Sequence, residues 1–89
     1  MKFNTDYVIK KVGDEALLVR QSKKSVDYSK VITLNPTSLL IVEGVMNNLS
    51  IDDITEKMVA EYDVSKEKAK QDIIVTINQL KTLNIVYGD

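Results

Sequence analysis

The sequence contains no cysteine and no histidine. Their absence removes the commonest low-pKa nucleophile, the commonest general base and the imidazole and thiolate metal ligands. Without cysteine, no disulfide supports the fold, and nothing argues for an oxidising compartment. Three scattered glycines, Gly13, Gly44 and Gly88, form no phosphate-cradling loop. No apolar run approaches the roughly 20 residues that cross a bilayer. The opening MKFNTDYVIKKVGDE lacks the uncharged core and small-residue cleavage site of a secretory signal. These absences predict a cytoplasmic protein, outside the membrane, that is not an enzyme and needs no cofactor or metal.

What is present suits packing. The 89 residues, 44% of them hydrophobic, predict one compact domain over residues 1–89. Such a domain buries somewhat more than the roughly 60% of surface typical of a 60-residue fold. Net charge is −1, but residues 1–35 hold seven basic and four acidic residues and residues 36–89 hold five and nine. That split, +3 against −4, is a mild polarity and not a nucleic-acid signature.

From Tyr7 to Leu34, β-branched and apolar residues cluster in short runs broken by turn chemistry, which predicts strands. YVIKKV, Gly13-Asp14 and EALLVRQ read as a hairpin. SKKSVDYS, Ser22 to Ser29, reads as a polar loop, with Val26 and Tyr28 able to extend a strand. KVITL, Lys30 to Leu34, is the third strand, with Lys30, Ile32 and Leu34 on one face and Val31 and Thr33 on the other.

The period changes at Asn35-Pro36, where Asn caps free N–H groups and Pro suits the first helical position. A first helix follows, with Leu39, Leu40, Val42, Val45 and Met46 apolar and Asn47-Asn48 as its stop. Ser50 and Asp53 form a capping box for a second helix carrying Ile51, Ile54, Met58, Val59 and Tyr62. Ser65 caps a third helix reaching about Leu83, with Ala69, Ile73, Thr76, Ile77, Leu80 and Leu83 on one side. Asn84 ends it in a left-handed turn, and Ile85-Val86-Tyr87 is a short extended tail. The predicted fold is α+β, a three-stranded antiparallel sheet (about 7–34) followed by a three-helix, winged-helix-like unit (about 36–83), with the tail as a wing remnant.

Asp52, Asp53 and Glu56 offer oxygen ligands, but acids in the first turns of a helix match its dipole and read as solvated charge. A winged-helix DNA-binding regulator is the alternative function. Lys66, Lys68, Lys70 and Lys81 on the third helix are its only basic stripe, and the chain's one arginine, Arg20, lies elsewhere. Arginine is the usual bidentate reader of guanine, so that helix is poorly equipped, and nucleic acid is not an expected partner. The favoured alternative is an open sheet edge at KVITL that accepts an added peptide strand. On the third helix, Lys70, Ile74 and Lys81 form a flank beside the core stripe, suited to a peptide with leucine or aromatic anchors between acidic residues. Val75, nearly opposite the core, is a further exposed apolar position.

LNPTSLLIVEGV (34–45), followed by LSIDDITEKMVAEYDVSKEKAKQDIIVTINQLKTLNIV, resembles the PqqD family, the small peptide chaperones also known as RiPP recognition elements. The likeness covers about Val31 to Val86. It rests on Leu34, Asn35, Ser38, Ile41, Val42 and Glu43, on Ile54 in the second helix, on the Ala60–Val64 junction, and on Asp72, Ile73, Leu80 and Leu83–Val86. The family often has tryptophan where Val42 stands, and Asp-Gly where Asn47-Asn48 stand. The resemblance implies a non-catalytic module that captures the leader of a ribosomally made precursor peptide. The module presents that leader to a modifying enzyme, commonly a radical S-adenosylmethionine (SAM) protein. Relatives serve pyrroloquinoline quinone formation, lasso-peptide or sactipeptide clusters. Carried to this chain, the resemblance implies Lys30, Val31, Ile32, Thr33 and Leu34 as backbone partners of the leader, with Lys70, Ile74 and Lys81 selecting its side chains. The expected state is a monomer or a weak dimer, hairpin exchange being possible through the Ser22–Ser29 loop.

Overall fold

The computed structural model describes residues 1–21 and 26–88, with the backbone alone described at 26–30. Its elements run β1 (Lys2–Phe3), β2 (Tyr7–Val12), β3 (Glu15–Gln21), β4 (Val26–Leu34), α1 (Pro36–Met46), α2 (Ile51–Glu61), α3 (Lys66–Thr82) and β5 (Val86–Tyr87). Strands β2, β3 and β4 form an antiparallel sheet in that order, so the expected α+β architecture is present. The hairpin turns at Gly13, whose φ of 61° suits a residue without a Cβ.

Strand β4 is longer than KVITL. Residues 22–25 of the expected loop lie outside the described residues, while 26–29 are strand. β4 is also irregular. Leu18 pairs with Ile32 and Arg20 with Asp27, so two steps along β3 correspond to five along β4. Such a bulge leaves residues unpaired and re-aims side chains. It upsets the expected alternation: Val31 is half-buried beside Ile32, while Thr33 is exposed and Leu34 buried.

The helix boundaries follow side-chain chemistry. Asn35 Oδ1 accepts from the Ser38 N–H at 2.8 Å and from the Thr37 hydroxyl at 3.0 Å. Ser50 and Asp53 exchange both bonds of a capping box, and Ser65 Oγ accepts from the Lys68 N–H at 3.2 Å. Helices α1 and α3 end alike. Asn48 and Asn84 take φ of 62° and 60°, and the next N–H reaches back five residues, Leu49 to Gly44 O and Ile85 to Leu80 O, each at 2.9 Å. That is the Schellman closure, with Asn in the place usually held by Gly.

The core lies between the sheet and the three helices, built on Leu18, Leu34, Ile41, Val42, Val45, Ile54, Met58, Ala69, Ile73, Ile77, Ile85 and Val86. The buried Thr55 hydroxyl donates to the Ile51 carbonyl at 2.7 Å, which removes the cost of its burial. The tail forms a two-stranded ribbon of its own. β5 pairs antiparallel with β1, Lys2 opposite Tyr87 and Phe3 opposite Val86. Asn4 reinforces this ribbon, its N–H donating to Ile85 O at 2.8 Å and its side-chain amide to Asn84 O at 2.9 Å. Among the described residues, no helix is long and apolar enough to cross a membrane.

Candidate functional site

Strand β4 has β3 on one side and forms an edge of its sheet, and β2 forms the other edge. Both edges offer backbone groups, but they differ in chemistry. β2 carries Lys10 and Lys11, both exposed, before its last residue Val12, and charged side chains of that kind blunt an edge against added strands. β4 includes Asp27 and Lys30, but its last four residues, Val31 to Leu34, carry no charge and three of them are β-branched.

Two hollows lie near the end of β4, one lined in part by β4 itself and one by the residues that follow it. The first, of about 280 Å³, is lined by Tyr7, Val31, Ile32 and Leu83. Its walls are predominantly apolar. Leu83 is 51% exposed there, a departure from its expected place in the core stripe. The reason is local: Leu83 caps α3 just before the Asn84 reversal, and the core beneath that turn is filled by Leu80 and Ile85. The second hollow, of about 340 Å³, lies where β4 gives way to α1. Asn35, Thr37 and Ser38 face Asp72, Val75, Thr76 and Gln79 of α3 across it, above the buried Ile41 and Met58. Val75, unexplained by helical periodicity, sits on this rim.

The flank of α3 bordering these hollows therefore runs from Asp72 through Thr76 and Gln79 to Leu83. It is not the Lys70, Ile74 and Lys81 flank expected from the helical wheel. Lys70 and Ile74 line a different hollow, of about 530 Å³, with Met1 and the α1–α2 turn, and Lys70 Nζ lies 3.3 Å from Asp52 Oδ1. Lys81 is exposed in the last turn of α3, where the helix dipole favours a cation. Val31 and Ile32 thus meet Leu83, and neither meets Lys70 or Ile74 in a shared hollow. A wheel gives both flanks equal standing: Leu83 lies roughly 80° from Ile73 on one side and Ile74 roughly 100° on the other. Which one turns toward β4 depends on how the sheet docks.

Two more lysines of α3 are paired with nearby carboxylates. Lys66 lies 2.8 Å from Glu56 and Lys68 lies 3.0 Å from Asp72. The hydrogen bond and charge of Glu56 hold the Lys66 ammonium above its ordinary pKa. The three acids considered as cation ligands are dispersed: Asp52 faces Lys70, Asp53 accepts from the Ser50 N–H, and Glu56 faces Lys66.

Similar folds have been solved with peptides. The chain superposes on TbiB1 in complex with the TbiA(beta) leader peptide, with a TM-score of 0.79 and 19% identity over 100% of both chains. A lasso peptide synthetase B1 complexed with the leader peptide gives a TM-score of 0.79 and 20% identity, over 98% of this chain and 96% of that one. No curated protein matches the sequence. The family described as coenzyme PQQ synthesis protein D (PqqD) matches residues 15–86, which takes in β3 through the first residue of β5. The chain is a member of the PqqD family.

Proposed function

We propose that the chain is a non-catalytic peptide chaperone that captures the leader segment of a ribosomally made precursor as an added strand on β4. It then presents the precursor to a modifying enzyme. The observation that carries this reading is the edge of β4: among the described residues it has a strand on one side only, and the C-terminal strand pairs with β1. Backbone N–H and C=O groups of an edge strand supply affinity for a guest strand, and neighbouring side chains supply choice. In this reading Lys30, Val31, Ile32, Thr33 and Leu34 are the backbone partners. Leu83, rather than Lys70, Ile74 or Lys81, is the facing side chain on α3. The two peptide-bound relatives support the assignment of a leader peptide as guest. The radical SAM class of the modifying enzyme rests on the family resemblance alone.

Titration with the precursor encoded beside this chain tests the reading. Amide shifts are expected in Lys30–Leu34 and around Leu83 together, and shifts confined elsewhere reject it. The DNA-binding alternative gains no support, since Lys66, Lys68 and Lys70 each lie against a carboxylate of the same chain. Counterion release from DNA needs cations free to meet phosphates.

A further inference from the structure

A module that holds a precursor and presents it needs a second surface, because an edge occupied by the guest cannot also hold the enzyme. The outer side of the first two helices has the character of one. Between α1 and the C-terminal end of α2, a hollow of about 320 Å³ is lined by Leu39, Leu40 and Tyr62 and carries Glu43, Lys57 and Glu61. It includes no residue of β4 and shares none with the two hollows near that strand. Helical phase separates them: Leu40 and Glu43 stand roughly 100° and 160° around α1 from Ile41, which lies beneath the hollow facing α3.

Leu39, Leu40 and Tyr62 pack against the core yet are only half-buried, so each still offers apolar surface. The three charged residues are exposed, and Glu43 is the sole charge of α1. Among the described residues, no ion pair or hydrogen bond engages the side chain of Glu43, Lys57 or Glu61. The acids on the α3 side differ, since Asp52, Glu56 and Asp72 each lie against a lysine. Two unpaired carboxylates to one ammonium, on a helical half with nine acids and five bases, complement a basic partner. An isologous dimer through this face would instead set one net-acidic rim against another.

We infer that the α1–α2 hollow is the dock for the modifying enzyme, which seats an aliphatic or aromatic side chain on Leu39, Leu40 and Tyr62 and sets Lys or Arg against Glu43 and Glu61. The inference rests on the proposed presentation of a precursor and names the surface and the charge of the partner that receives it.

The test titrates the full chain, by calorimetry, with the modifying enzyme encoded beside it and separately with the precursor. Glu43→Lys combined with Glu61→Lys should weaken the enzyme about tenfold and change precursor affinity by less than about twofold. Leu39→Ala should weaken the enzyme about fivefold. Lys57→Glu, which makes the rim more acidic, should not weaken it. Added salt should weaken the enzyme more for the wild type than for the double variant. Unchanged enzyme affinity in the double variant or in Leu39→Ala overturns the inference, as does an equal loss of precursor affinity. Sedimentation showing a dimer that the double variant abolishes assigns the face to a second copy and overturns it too. A chain that binds the precursor through β4 but never the enzyme overturns this inference and presentation, and leaves strand addition standing.

Discussion

Gly44 is where a single residue constrains the helical unit most tightly. A Cβ placed there would lie 2.6 Å from Cγ1 and 2.9 Å from Cδ1 of Ile54, which is fully buried. Gly44→Ala should gain about 1 kcal/mol of helix propensity and lose about 1–3 kcal/mol to overpacking. A net loss in denaturant stability is expected. Ile54→Ala, which clears the space, should couple favourably with it in a double-mutant cycle. Asn48 is constrained by its backbone and not by packing. At φ of 62°, Asn48→Ala should cost about 1 kcal/mol in chemical denaturation, and Asn48→Gly should cost little or nothing. The capping residues Asn35, Ser50 and Ser65 were legible in the sequence because a cap is a local event, settled within about four residues. The exposure of Leu83 was not legible, since a wheel assumes the helix continues and Leu83 stands at its end.

At the scale of elements, β4 offers a proline scan with opposite outcomes. Successive residues of an edge strand point their N–H groups alternately toward the partner strand and outward. Of Ile32→Pro and Thr33→Pro, one should therefore break the β3–β4 ladder and lower stability. The other should stay folded and lose most of its peptide affinity, read by thermal melts alongside peptide titration. Two folded variants with unchanged binding would exclude strand addition. Between α2 and α3, Lys66 faces Glu56 and Lys70 faces Asp52. A lysine pKa raised on folding stabilises at pH below its unfolded value and ceases to do so once pH exceeds the folded one. The thermal midpoints of wild type and Lys66→Met should thus differ slightly at neutral pH and converge at pH above the lysine range. The bulge in β4 escaped the sequence reading because KVITL alternates correctly by itself; the irregularity exists only against β3.

For the whole molecule, the β1–β5 ribbon ties both ends of the described chain together and leaves β4 uncovered. Asn4→Ala removes the side-chain bond to Asn84 and should cost about 1 kcal/mol. Removing residues 1–4 also uncovers Phe3, which packs on the core, and should lower stability by about 2–4 kcal/mol, measured by thermal or urea unfolding. If β5 were then free to move onto β4, peptide affinity would fall as well. The ribbon was only half visible in the sequence. Ile85-Val86-Tyr87 has strand composition, but Lys2-Phe3 is too short to show a period, and pairing across more than eighty residues has no local signature.

By itself the sequence determined where each helix begins and ends, the β2–β3 hairpin, the apolar stripe that fills the core, and the lack of cysteine and histidine. Those features depend on local hydrogen bonding, helical and strand periods, and inventory, all contained within short windows. Only the tertiary structure decided that Leu83 shares a hollow with Val31 and Ile32, that β4 pairs irregularly with β3, and that the tail closes on β1. Each of these depends on the angle and register at which sheet and helices dock, and packing across the whole core sets both.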